Sequence, residues 1–370
     1  RAKALEASGK DVINLGIGAP DFRTPETIVE AGCKALRDGY HFYTPAKGLA
    51  ELREAVAEDI AARRGVEVDP DCIQIVPGGK PTMFFAVLMF GEAGTEILYP
   101  NPGFPIYESM IEFSGAKAVP YGLLEEKGFE FDPEEVLAKI TGRTRLLILN
   151  SPANPTGGVV TREALDVLVA GLERHPDVTV LADEIYSRLL YGAEHHSLLQ
   201  FESLRDRLIL LDGWSKTFSM TGWRLGWGLW PKHLIDDAER LQINSNSCAS
   251  APVQIAGIEA LRGPQDPVDE MVAAFDERRV RIVEELNSIP GFRCVMPKGA
   301  FYAFPNITGT GMSSRELQDL LLYEAGVATV AGTAFGSFGE GYLRFSYASS
   351  LENILTALGR VRAVLQTAAK

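Results

Sequence analysis

Five strand-length apolar runs recur through the first two thirds of this chain, and each stops at residues able to do chemistry. Cys72 to Val76 runs into Pro77-Gly78-Gly79-Lys80-Pro81, and Glu96 to Tyr99 into Asn101-Pro102-Gly103-Phe104. Thr144 to Leu149 ends in Asn150-Ser151-Pro152-Ala153-Asn154-Pro155-Thr156-Gly157, and Val178 to Ala182 in Asp183-Glu184-Ile185-Tyr186. Leu208 to Leu211 stops at Asp212-Gly213, with Lys216 just beyond. Continuous apolar strands alternating with amphipathic helices build a mostly parallel sheet covered on both faces. Ligands of such sheets sit beyond the carboxyl ends of the strands. Gly78, Gly79, Phe104, Asn154, Asp183 and Lys216 are therefore expected to converge along one edge.

Lys216 stands out among them. It lies between Leu208–Leu211 and a second apolar run, Leu225 to Trp230, within Ser215-Lys216 and Thr221-Gly222-Trp223-Arg224. Burial disfavours the ammonium form, and a neutral lysine amine attacks carbonyl carbon. Most lysines sit on surface loops; this spacing favours a buried, reactive one. At Pro77-Gly78-Gly79-Lys80-Pro81, a helix opening on Pro81 would offer free backbone N–H groups to an anion. A plain strand-to-helix turn accounts for the same residues equally well. Gly16-Ile17-Gly18 resembles half a dinucleotide fingerprint, but Pro20-Asp21 makes a turn there instead of opening a helix.

Thr24-Pro25 predicts a capped helix to about Leu36, and Glu51 to Arg64 a helix with Leu52, Val56 and Ile60 on one face, stopped by Gly65. Between them, Gly39 to Leu49 reads as an aromatic loop. Pro231 to Ala260 reads as helical with a polar interruption at Asn244–Ser247. Past Gly263-Pro264 the pattern changes: a long helix from Val268 to Asn287, strands near Phe301–Phe304 and Tyr342–Tyr347, and helices at Ser313–Glu324 and Leu351–Thr367. This predicts a large α/β domain over 35–265 and a smaller α+β domain from 1–34 and 266–370.

A net charge of −13 from 36 basic and 49 acidic residues argues against nucleic-acid or anionic-membrane binding. Cys33, Cys72, Cys248 and Cys294 are widely spaced, which fits a reducing compartment, the cytoplasm, and neither a disulfide scaffold nor a metal cluster. The adjacent pair His195-His196 reads as a surface loop. No apolar run reaches membrane-spanning length. The chain opens on Arg1 rather than methionine, and a preceding segment is expected.

With Asn154-Pro155-Thr156-Gly157, Asp183-x-x-Tyr186 and Ser215-Lys216 through Arg224 in order, the chain resembles the class I/II aminotransferases, pyridoxal-phosphate enzymes of fold type I. LGIGAPDF and YTPAKGLAELR place it nearest the bacterial aspartate aminotransferase-like subgroup. The resemblance implies a seven-stranded, mostly parallel sheet between helices. It implies that Lys216 carries the cofactor as a Schiff base and moves the Cα proton, with Asp183 at the pyridine nitrogen and Tyr186 and Asn154 at the phenolic oxygen. Phe104 would stack on the ring, and Gly78, Gly79, Ser215 and Arg224, with the Lys80 loop, would hold the phosphate. Arg344 would clamp the substrate carboxylate beside Gly18. Tyr43 would reach the cofactor of a second copy in a homodimer.

The resemblance is not uniform. Residues 244–252 read NSNSCASAP and lack the side-chain-binding arginine of animal-type aspartate aminotransferases. Lys80 matches the subgroup's lysine for an acidic side chain, but Pro81 and Thr82 depart from the subgroup and are expected to alter the pocket wall. The implied reaction is transfer of an amino group from an L-amino acid to a 2-oxo acid such as 2-oxoglutarate. A β-lyase or an amino-acid oxidase would use the same residues. An amino-acid sensor domain of a regulator is the reading from another class; the acidic charge gives it no support.

Overall fold

The computed structural model describes residues 1–368. Its main sheet has eight strands in the order Ile73–Val76, Gly226–Leu229, Leu208–Gly213, Thr179–Asp183, Thr144–Asn150, Glu96–Asn101, Lys117–Leu124 and Glu130–Phe131. Seven of these make up the sheet that the sequence predicts, and the two-residue strand Glu130–Phe131 is added at one edge, antiparallel to its neighbour. The five central strands are parallel, whereas Gly226–Leu229 runs antiparallel to both of its neighbours. Every residue of Ile73–Val76, Glu96–Asn101, Thr179–Asp183 and Leu208–Gly213 is buried, as continuous apolar runs require when helices cover both faces. One layer of core lies under Leu52, Val56, Leu165 and Leu168; the other lies under Met83, Phe85, Tyr107 and Ile111.

A separate core gathers Phe275, Ile282 and Leu286 of the helix Asp266–Asn287, Leu317 and Leu321 of Ser314–Tyr323, and Ile354, Leu358 and Val361 of Leu351–Ala368. These helices cover a three-stranded antiparallel sheet ordered Tyr302–Ala303, Leu343–Ser346, Val330–Ala331. Leu15, from the N-terminal segment, is buried in the same core, and Ile13–Asn14 pairs in parallel with Val327–Ala328. The chain's beginning thus lies on elements more than 250 residues away, as the residue numbers of that pairing show.

Two local expectations are corrected. The helix Glu26–Arg37 opens on Pro25 with no side-chain cap. Thr24 Oγ1 donates instead to Ser219 O at 2.8 Å and accepts from Trp223 Nε1 at 3.0 Å, a tertiary pairing that outcompetes the local cap. His195 is not a surface residue: its Nε2 lies 2.9 Å from Glu184 Oε2, and its side chain is 11% exposed. A carboxylate buried beneath that loop draws the imidazole inward.

Candidate active site

The strand Leu208–Gly213 ends at a glycine where a Cβ would stand 2.8 Å from Gly226 Cα. Only a bare backbone lets the chain turn there into the short helix Trp214–Thr217. Trp214, Ser215 and Thr217 of that turn are buried, and Lys216 points into a cavity of about 380 Å³. Lys216 Nζ donates to Gly18 O at 2.5 Å. Burial, and then the positive charges of Arg344, Arg224 and Lys80, pull its pKa down to about 8. At pH 7 about a tenth of the amine is therefore unprotonated, against less than about a thousandth for an ordinary lysine.

The neighbouring strand ends place carboxylate and amide groups around that amine. Asp183 Oδ2 accepts from Tyr107 Oη at 2.7 Å, and Oδ1 accepts from the Ile185 N–H at 3.3 Å. Burial outweighs these bonds and raises the Asp183 carboxyl to about 6. Asn150, opposite Asp183 in register, donates to Asp183 O at 3.0 Å and accepts from the Asn154 N–H at 3.0 Å. Tyr186 lines the cavity a few residues past Asp183.

Arg344 enters from the three-stranded sheet. Its Nη1 donates to Asn154 Oδ1 at 2.9 Å and its Nη2 to Gly16 O at 2.7 Å, while Nε is buried without a partner. These bonds go to neutral oxygens rather than to a carboxylate, so the guanidinium keeps its charge for a ligand. On the opposite side, Arg224 sits in the left-handed region at φ 57° and donates to Thr221 O at 2.9 Å. Its guanidinium fills the space over Gly78, where a Cβ would lie 2.0 Å from Nη2. Gly78 also has φ +78°, so glycine is required there on two counts. Gly79 precedes the helix Lys80–Phe90, whose first N–H groups have no intrahelical partner.

Gly18, Gly79, Lys80, Phe104, Asn154 and Ser215 all line the cavity with the groups above. Lys80 Nζ lies 5.5 Å from the centroid of the Phe104 ring. Two residues expected at the site do not line it: Gly78, which lies under the Arg224 guanidinium, and Tyr43, which is 87% exposed and away from its own chain's cavity. Pro81 and Thr82 do not line it either. Thr82 is fully buried against Gly228, and Met83, one helical turn from Lys80, supplies the wall instead. Asn150, Tyr107, Met83 and Tyr302 are site residues that the sequence reading missed. Only Asn150 carried a signal, being the strand-end residue before a proline-rich turn.

Behind the cavity lies a buried ionic network. Arg64 Nε donates to Glu184 Oε2 at 2.8 Å and Arg64 Nη2 to Asp212 Oδ2 at 2.6 Å. Ser197 and Ser187 donate to Glu184 and Asp212 respectively. Burial would raise the Glu184 carboxyl, but His195 and Arg64 overcome it and hold the group down at about 2. A carboxyl more acidic folded than unfolded stabilises the fold fully above about pH 5, and that contribution is lost as pH falls toward its folded value. Both acids flank Asp183 and Gly213, so the network fixes the strand ends that carry the site. Arg64→Met leaves buried Asp212 without a cation and Glu184 with His195 alone, and should cost about 3–5 kcal/mol at pH 7. Urea unfolding would check this, and a midpoint equal to that of wild type would contradict it.

A family model for aminotransferase class I and II matches residues 10–361. The chain belongs to that family. An aspartate aminotransferase of Pyrococcus horikoshii is 41% identical over 99% of this chain and 93% of its own length. Among solved structures, an aromatic aminotransferase from Pyrococcus horikoshii superposes with a TM-score of 0.94 at 38% identity, covering 100% of both chains. The Thermus thermophilus aspartate aminotransferase with maleate superposes at 0.94 with 36% identity, over 98% of this chain and 94% of its own. The fold is type I, and the chain is a pyridoxal-phosphate-dependent aminotransferase acting on an amino acid and a 2-oxo acid.

The residues fit that cofactor. An anionic phosphate suits Arg224 and the free N–H groups after Gly78-Gly79, and an aldehyde suits an amine whose charge is weakened. A protonated ring nitrogen suits a buried carboxyl that lacks a cation. Among the described residues no cluster of His, Cys, Asp and Glu is arranged to hold a metal ion, and no helix is long and apolar enough to cross a membrane.

Proposed function

We propose that this aminotransferase exchanges an amino group between the glutamate/2-oxoglutarate pair and a second pair, aspartate or another L-amino acid with its 2-oxo acid, using Lys216 as covalent anchor and proton carrier. The observation that carries the reading is Lys216 Nζ, buried in the cavity at a pKa of about 8 and facing an arginine that has no carboxylate. Bound there, pyridoxal phosphate supplies a carbonyl to take the nitrogen and a ring to accept the electron pair of the substrate's Cα–H bond.

This chain's residues do the rest. Arg344, squared by Asn154 and Gly16, grips the α-carboxylate with its planar fork and turns Cα–H toward Lys216. Unprotonated Lys216 Nζ would take the Cα proton and hold it for return to the product. Asp183, raised to about 6 by burial, would take a protonated ring nitrogen as its counter-ion and favour that nitrogen's protonated form. Tyr186 and Asn154 would direct hydrogen bonds at the phenolic oxygen, Phe104 would cover the ring face, and Arg224, Ser215, Gly78 and Gly79 would hold the phosphate. Lys80, beside Phe104, offers a cation to a distal carboxylate, and Gly18 backs the substrate.

Two copies complete the site in this reading. Phe42 and Tyr43 are 85% and 87% exposed on the 39–49 loop, beside a groove formed with Cys248–Pro252, and a second copy would cover them while Tyr43 reached its phosphate. The division into 35–265 and 1–34 with 266–370 puts the cavity between two separately packed pieces. The low cysteine content supports a cytoplasmic location.

The test is a panel of L-amino acids, each given in amounts sufficient for one turnover, with the released 2-oxo acid measured. Acidic amino acids should lead. In Lys80→Ser they should lose about 10- to 100-fold in kcat/KM, the scale of a charge-assisted contact, while phenylalanine changes by less than about threefold. Equal losses for both would refute the role of Lys80.

A further inference from the structure

Tyr302 carries no motif, yet it touches three of the groups that do. It lies opposite Ser346 in the antiparallel pair with Leu343–Ser346, so its ring shares a face with Arg344 two residues earlier. Arg344 Cζ is 4.4 Å from the Tyr302 ring centroid and 4.7 Å from that of Phe335. The Tyr302 hydroxyl is 2.8 Å from that of Tyr186. It also closes on the backbone of Gly18, where a Cβ would stand 2.7 Å away.

Two hydroxyls in contact share one hydrogen bond, and the accepting hydroxyl keeps its own proton for another partner. Burial raises both phenols. Where Tyr186 gives its proton to the cofactor's phenolic oxygen, as in the site reading above, only its lone pairs remain for the hydroxyl 2.8 Å away, and Tyr302 is then the donor.

We propose that Tyr302 is a positioning residue for the transfer reaction: its hydroxyl donates to Tyr186 and turns that residue's proton into the cavity, while its ring holds the Arg344 guanidinium flat for the substrate carboxylate. The inference rests on the site reading above, in which Tyr186 touches the cofactor and Arg344 the substrate.

The test compares wild type, Tyr302→Phe, Tyr302→Leu and Tyr186→Phe, all loaded with pyridoxal phosphate. One readout is the pH titration of the bound cofactor's absorbance without substrate. The other is the Kd for maleate, a dicarboxylate with no amino group to transfer. Lys216, Asp183, Arg344, Lys80 and Arg224 face the same cavity and stay in place throughout. Tyr186→Phe should raise the titration midpoint, because a donor to the phenolic oxygen is lost. Tyr302→Phe should raise it by a smaller amount, about half a pH unit, the scale of one neutral hydrogen bond. It keeps the ring, so its maleate Kd should stay within about twofold of wild type, while Tyr302→Leu should weaken maleate about tenfold through loss of the cation–π contact. A shift in Tyr186→Phe with none in Tyr302→Phe, or wild-type maleate binding in Tyr302→Leu, would overturn the inference. No shift in Tyr186→Phe would instead overturn the placement of Tyr186 at the cofactor, on which the inference depends.

Discussion

Lys216→Ala should lower kcat by about 10⁴-fold, the upper range for a positioned proton-transfer group. The other lysine at the cavity, Lys80, lies against the Phe104 ring and is not expected to substitute for it. The same variant should bind pyridoxal phosphate only reversibly. After borohydride reduction and denaturation, wild type should carry the cofactor's mass on the peptide containing Lys216, and the variant should carry none. A covalent adduct in the variant would sink the assignment. The loss follows from the environment: burial together with Arg344, Arg224 and Lys80 weakens the ammonium form, so the amine is available near neutral pH.

Asp183→Asn should have opposite effects on stability and on catalysis. In the cofactor-free protein the buried Asp183 carboxyl is raised from 3.8 to about 6. The folded state then holds this proton more tightly than the unfolded chain. The group's contribution is fully present below pH 4 and is lost as pH rises through 6, above which an ionised carboxylate sits buried at a cost. A shift of this size corresponds to about 3 kcal/mol at most. Asparagine can keep its Oδ1 on the Ile185 N–H, and the Tyr107 hydroxyl can rotate to accept from its amide, without that charge. The cofactor-free variant should therefore melt about 2–4 °C above wild type at pH 8, and the gap should close below pH 4. With cofactor the order reverses, since wild type regains a counter-ion, and kcat of the variant should fall about 10²–10³-fold. Calorimetry of both forms at two pH values tests the first part; a cofactor-free variant no more stable than wild type at pH 8 would contradict the buried-charge argument.

Strain and specificity thus sit on the same few side chains. Asp183, Lys216 and Arg344 are each costly to bury in the cofactor-free protein, and in the proposed reading each would be matched by a group that cofactor or substrate brings. The Arg64–Glu184–Asp212 network holds the strand ends rigid enough for that mismatch to persist.

The parallel sheet was legible because burial on both faces forces long apolar runs, and the alternation of those runs with helices leaves few other arrangements. The strand-end residues were legible for a related reason: a ligand beyond the strand ends is served by residues next to those runs, so Asn154, Asp183 and Lys216 stand in local motifs. The edge strand Glu130–Phe131 was not, since two residues carry no periodicity. Thr24 and His195 were misplaced because each forms a bond that no neighbour in sequence foretells, to Trp223 and to Glu184. Tyr107 and Tyr302 read as ordinary core aromatics; what makes them site residues is a single hydroxyl contact across 76 and 116 positions of chain. Likewise the pocket wall beside Lys80 is Met83 rather than Thr82, because helical geometry puts residues three apart on one face. By itself the sequence determined the sheet, its chemical edge and the reactive lysine, all of which follow from burial along the chain. Only the tertiary structure decided which hydroxyls meet at the cavity, which charges stay unpaired and which side chains hold them, because those depend on distances between residues the chain keeps far apart.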